Sequence, residues 1–140
     1  METWDAIRAR RNVRQYTGQP IAREDLERIC EAGRRAPSAG NGQPWDFVVV
    51  TDRTQLTELA KVWERGGRHI AQSSATIALL AREPEDERQR GLMLYDFGQA
   101  TAYIMLAAAT SASALATRPS PTSSRRSGCW GSPAATSPST

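Results

Sequence analysis

Two short apolar runs, Val48-Val49-Val50-Thr51 and Ala75 to Leu80, constrain this chain most, because each is too short for a helix and lies between segments of helical periodicity. A chain patterned this way needs a sheet with helices packed on it. Both runs are expected as buried strands. The first is fed by Ala36-Pro37-Ser38-Ala39-Gly40-Asn41-Gly42-Gln43-Pro44-Trp45, small and polar enough for a tight connection. Gln43, preceding a proline, is expected to be extended.

The helical segments are distinct. Trp4, Ala6, Ile7 and Ala9 suit a short amphipathic helix ending near Arg11, broken by Thr17 to Pro20. A second is expected from Ala22, with Glu24, Asp25 and Glu27 in its first turns and Arg34 and Arg35 near its end, as the helix dipole favours. Leu26, Ile29, Cys30 and Gly33 form its inward stripe, and Pro37 stops it. A third spans Thr54 to Glu64, with Leu56, Leu59, Ala60 and Trp63 on one face, and Gly66-Gly67 ends it. Glu83 to Glu87 reads as a solvated loop. A long helix from near Arg88 carries Leu92, Tyr95, Gln99, Ala102, Ile104 and Leu106 to Ala109, and its small residues Gly98, Ala100, Ala102, Ala107 and Ala108 would admit a close neighbour.

Composition excludes several classes. With 39% apolar and 24% charged residues in 140, the chain has ordinary globular make-up for one domain. No apolar run approaches a membrane span, and Glu2 and Asp5 do not resemble a basic leader, so a cytoplasmic protein without membrane association is expected. Cys30 and Cys129 make neither a disulfide framework nor a zinc pattern. The formal net charge is +3, but Arg118, Arg125 and Arg126 account for all of it, and no carboxylate follows Asp96. A neutral body without a basic stripe argues against nucleic-acid binding. The single histidine, His69, reads as a surface or helix-start residue rather than an acid/base group.

Two segments carry chemistry. Arg10-Arg11-Asn12-Val13-Arg14 places three guanidinium groups within five residues, and a guanidinium fork suits a phosphate because it binds bidentately and keeps its charge. With i, i+4 spacing Arg10 and Arg14 would share a helix face. Pro37 to Gly42 offers small residues that allow close backbone approach, with N–H groups available to a ligand. Alone, the first reads as a solvated helix face and the second as an ordinary turn. Taken in this order, with Pro20-Ile21 and Glu24-Asp25-Leu26 between them and Trp45-Asp46-Phe47-Val48-Val49-Val50 after them, they resemble the nitroreductase family across the first half of the chain.

The resemblance implies an α+β fold, a nitroreductase-like three-layer α-β-α sandwich, here truncated at its C-terminal side. It implies FMN as cofactor, NAD(P)H as co-substrate, and ping-pong hydride transfer to a nitroaromatic, quinone or similar small-molecule electron acceptor. By the same likeness Arg10, Arg11, Asn12 and Arg14 contact the FMN phosphate, ribityl chain and pyrimidine edge. Pro37, Ser38, Ala39 and Asn41, with Gln43 close behind, form the loop that reaches the flavin held mainly by the other subunit of a homodimer. No side chain need act as nucleophile, so no catalytic residue and no metal ligand are assigned. Other readings remain: a flavin-dependent dehalogenase, an enoyl-type reductase or a dimethylbenzimidazole-synthase-like enzyme on the same scaffold, or an inactive remnant or non-enzymatic interaction module.

Residues 1–109 carry the likeness and residues 110–140 depart from it. From Thr110 the chain runs through Ser, Pro, Thr, Ala and Arg without periodicity, as a disordered tail would. A frameshift accounts for it more sharply. Cys129-Trp130-Gly131 requires TGY TGG GGN, which one base earlier reads Leu then Gly, and one codon choice for Thr110 to Ser120 gives the Gly-rich turn expected after the long helix. The tail is thus expected to be out-of-frame translation, leaving apolar faces uncovered and the chain largely inactive.

Overall fold

The structure, a computed structural model, describes residues 2–63 and 67–111. Helix α1 (Thr3–Ala9) buries only Ala6, while Trp4 and Ile7 are 64% and 46% exposed. The expected apolar stripe is therefore not used. Seven residues cannot sustain a helix by propensity alone, and α1 is held by packing on α5 (Glu87–Thr110), the long helix at the end of the described chain. It ends at Ala9, where Arg10 turns to extended backbone at φ −61°, ψ 124°.

Helix α2 (Arg23–Arg34) follows its sequence signals: Glu24 and Asp25 lie in the first turn, Arg34 in the last, and Leu26, Ile29 and Gly33 are buried. Cys30 is half-buried, and that burial pushes its thiol pKa up. Packing of α2 on α5 depends on Gly33, where a Cβ would stand 2.8 Å from the Ile104 side chain and 3.1 Å from Phe47.

Helix α3 (Arg53–Ala60) is capped by Asp52, whose carboxylate accepts from the Gln55 N–H at 2.9 Å. It is shorter than its periodicity suggests. Leu56 is fully buried, but Trp63 lies outside the helix and is 58% exposed. The reason is α4 (Gly67–Gln72), a helix the sequence reading lacked, which packs on α3. Gly67 opens α4 rather than closing α3, because a Cβ there would run into the Ala60 carbonyl oxygen. Arg53 Nη1 donates to the Ala71 carbonyl at 2.6 Å and ties the two helices together.

Strands β1 (Asp46–Val50) and β2 (Thr76–Leu80) pair antiparallel, with Phe47 opposite Leu79 and Val48 opposite Ala78. Phe47 and Leu79 pack with Phe97 against the buried cluster of Ala36, Trp45 and Ala100, which draws α2, α5 and the sheet into one core. The opposite face is open, with Val48 44% and Leu80 49% exposed. Burial on both faces, as in a parallel sheet, is thus not found.

Helix α5 begins at Glu87, capped by Asp86, whose carboxylate accepts from the Gln89 N–H at 2.7 Å. The acidic loop therefore supplies the helix start. Asp96 and Ala100 are its buried residues, whereas Leu94 and Tyr95 are 60% and 69% exposed. Among the described residues no helix is long and apolar enough to cross a membrane. The tail assigned to a shifted frame lies, beyond Ser111, outside the described residues.

Candidate functional site

The first candidate segment is an arm outside any helix, so the shared helix face considered for Arg10 and Arg14 does not form. Instead Arg10 Nη1 donates to Asn12 Oδ1 at 3.3 Å, two residues on, the spacing at which extended backbone returns side chains to one side. Arg11, Asn12 and Arg14 are exposed and Arg10 is half-buried.

These guanidinium groups are set apart by their clustering; like Arg8, Arg28, Arg68, Arg82 and Arg88, they have no carboxylate partner among the described residues. At the end of α2, Glu31 accepts from Arg34 at 2.6 and 2.8 Å and from Arg35 at 2.7 Å. Those hydrogen bonds, with the added charge attraction, hold the Glu31 pKa down at about 2. Arg34 is correspondingly raised. Among the described residues, Arg10, Arg11 and Arg14 have no such carboxylate partner. Three cationic donors without internal compensation fit a dianionic ligand group.

The second segment is built more tightly than its composition suggests. A single 3₁₀ turn spans Ala39–Asn41, and Gly40, Asn41 and Gln43 all have left-handed backbone, at φ 57°, 56° and 45°. For Asn41 and Gln43 that conformation costs about 1 kcal/mol or more each unless the surroundings hold it. The surroundings do. The Asn41 and Gly42 N–H groups donate to the Ser38 and Ala39 carbonyls, each at 3.0 Å. The Gln43 N–H donates to Ser38 Oγ at 2.9 Å, and Gln43 Nε2 to Asn41 Oδ1 at 3.1 Å.

Two expectations change accordingly. Gln43 is not extended, because closing onto Ser38 overrides the preference set by Pro44. The backbone N–H groups of Ala39, Asn41, Gly42 and Gln43 are engaged within the protein rather than open to a ligand. What the loop presents outward are its exposed Pro37, Ala39, Asn41 and Gln43 residues, with Ser38 half-buried beneath.

The residue that sequence reasoning missed is Asp96. It is 3% exposed, and both its oxygens lie within reach of the Ala39 N–H, at 3.2 and 3.1 Å. A buried carboxylate is costly unless hydrogen-bonded, so this contact fixes the loop to α5. The available signal was its i, i+4 relation to Ala100 on a helix, a carboxylate on the face that packs inward.

Loop and helix form one wall of a cleft of about 540 Å³ that also meets Trp45, Asp46, Arg82, Glu83 and Glu85. The acidic lining makes it a poor phosphate site. Among the described residues Trp45 Nε1 is enclosed and without a hydrogen-bond partner, as is Nδ1 of the half-buried His69 on α4. None of Arg10, Arg11, Asn12 or Arg14 lines the cleft. Within one chain, no side-chain hydrogen bond joins the arm to the loop among the described residues. No group of carboxylate, histidine or cysteine residues suited to a metal occurs there either.

The comparisons with known proteins agree with this architecture. A protein of Archaeoglobus fulgidus carrying the provisional name NADH dehydrogenase/NAD(P)H nitroreductase is 37% identical over 102 residues, 73% of this chain and 58% of its own length. Among solved structures, a nitroreductase family protein of Clostridium novyi is similar at a TM-score of 0.70 and 27% identity, covering 78% of this chain and 64% of that one. A provisionally named nitroreductase of Desulfovibrio desulfuricans, solved in complex with FMN, follows at 0.63 and 27%, covering 77% and 62%. The chain thus spans about three-fifths of the length of these relatives. The profile of the Nitroreductase family matches residues 7–128, taking in both the arm and the loop and running past Thr110. With its α+β fold and that match over most of its length, the chain belongs to the nitroreductase family.

Proposed function

We propose that this chain is an FMN-dependent oxidoreductase, using NAD(P)H to reduce a nitroaromatic, quinone or similar small-molecule acceptor. The observation that carries the reading is the arm: three guanidinium groups within five residues, none paired with a carboxylate among the described residues. Arg10, Arg11 and Arg14 would hold the phosphate, and Asn12, able to donate and accept, the ribityl hydroxyls. Pro37, Ser38, Ala39, Asn41 and Gln43 would meet the ring from a second copy, since among the described residues no side-chain hydrogen bond joins arm and loop within one chain and the arm does not line the loop's cleft. Bound FMN would supply the redox chemistry, accepting hydride from NAD(P)H and delivering it to the acceptor. The protein's part is to orient and to exclude water. The reading includes a cytoplasmic homodimer that binds no nucleic acid.

Titrating the 140-residue chain with FMN and following the quenching of flavin fluorescence tests it. Saturable binding that weakens with added salt is expected; no binding at any salt concentration would sink the proposal.

A second reading concerns activity, and the open sheet face favours it. With Val48, Leu80, Leu94 and Tyr95 exposed among the described residues, the chain as written would have little turnover. The frameshift from about Thr110 would explain this. Sequencing the locus decides between the frames: family-like codons one base back from the Ala109 codon support it, and their absence overturns it.

A further inference from the structure

We propose that Asp96 is a positioning residue for the cofactor, acting at a distance through the Ala39 N–H. The inference rests on the FMN reading above and adds to it a part of the site that never touches the ligand. Three observations converge. Asp96 is 3% exposed, and the Ala39 N–H lies 3.1 and 3.2 Å from its two oxygens. The segment it holds carries three left-handed residues, two of them not glycine, a backbone that persists only where its surroundings determine it. The other bonds that shape the loop, Asn41 to Ser38, Gly42 to Ala39 and Gln43 to Ser38, are internal to it. They fix its form; its ends are placed by the buried Ala36 and Trp45, packed with Ala100 of α5. Between those ends the contact with Asp96 ties the turn itself to α5, and so sets where Asn41 and Gln43 stand relative to the rest of the protein.

A single N–H shared by two carboxylate oxygens is a charge-assisted bond, stronger than its neutral counterpart. Asp96→Asn keeps the shape and removes the charge, leaving an amide whose nitrogen repels the Ala39 N–H in one orientation. Ala39→Pro removes the donor itself; Ser38, at φ −144° and ψ 156°, already has the backbone that a residue before proline requires. Ile29→Val, in the core on α2, lowers stability without touching the loop.

The test measures FMN affinity, the visible band of the bound flavin and hydrogen exchange of the Ala39 amide in the full chain. Asp96→Asn is expected to weaken FMN binding about tenfold, the difference between a charged and a neutral hydrogen bond, to shift the flavin band and to deprotect the Ala39 amide. Ile29→Val should leave the affinity and the band as they are. Ala39→Pro should weaken FMN binding similarly, and adding Asp96→Asn to it should cost nothing more. Unchanged FMN affinity and band in Asp96→Asn, or losses that add in full, would overturn the positioning role alone. If Asp96→Asn fails to fold, Ala39→Pro decides: full FMN affinity there overturns the proposal. Failure of the unsubstituted chain to bind FMN refutes the functional reading and this role with it.

Discussion

At the scale of the residue, the arginines of the arm and those of α2 show how context divides chemically equal groups. Arg34 and Arg35 are occupied by Glu31, whereas Arg10, Arg11 and Arg14 have no carboxylate partner among the described residues. Arg10→Ala or Arg14→Ala is expected to weaken FMN binding by about 1.5–3 kcal/mol, the worth of a charge-assisted hydrogen bond, and Arg14→Lys should recover only part of it, since the fork is lost. Fluorescence titration of each variant checks this. Glu31 gives a pH signature with a definite sign. Its pKa is depressed in the fold to about 2, so its contribution is present at neutral pH and is lost as pH falls through the usual carboxylate range toward 2. Acid unfolding followed by circular dichroism should show a shallower decline for Glu31→Gln than for the unsubstituted chain. The arm was legible as a candidate because a phosphate needs that donor type and the sequence itself sets three such donors together. Asp96 offered only its place beside Ala100 on a helix, and its contact is with a partner 57 residues away.

At the scale of the element, α2 and α5 were readable from periodicity, and the differences lie where neighbours decide. Nothing local in Lys61 to Gly67 says that α3 stops at Ala60; the close passage of Gly67 over the Ala60 carbonyl does. The same logic makes Gly33 a sensitive position on α2. In an exposed helix Gly→Ala gains about 1 kcal/mol, but here the new methyl would press on Ile104 Cγ1 and on Phe47, and overpacking costs about 1–3 kcal/mol. Gly33→Ala should therefore be neutral to destabilising, and Gly33→Val clearly destabilising, by urea denaturation. Leu56→Ala, at a fully buried site, should cost about 2–5 kcal/mol.

At the scale of the whole molecule, the sheet is covered on one side among the described residues. Phe47 and Leu79 meet the helices, while Val48 and Leu80 face outward beside each other's strands. An apolar strand face of this kind invites association. Size-exclusion chromatography should show the chain associating as its concentration rises, and Val48→Thr with Leu80→Thr should reduce this without loss of stability. That two strands would form could be read from the sequence; their antiparallel pairing could not, because apolar runs of this length read alike whichever way they pair.

The contact between Ala39 and Asp96 also orders events in time. A chain made from its amino terminus exposes the loop long before the carboxylate that anchors it. Local turns of the loop can close at once, but its attachment must wait until the middle of α5 has been synthesised and has docked on α2. The loop is therefore set in place only after the core beneath it has formed, so that a nascent chain without α5 presents the arginine arm before its own loop is fixed.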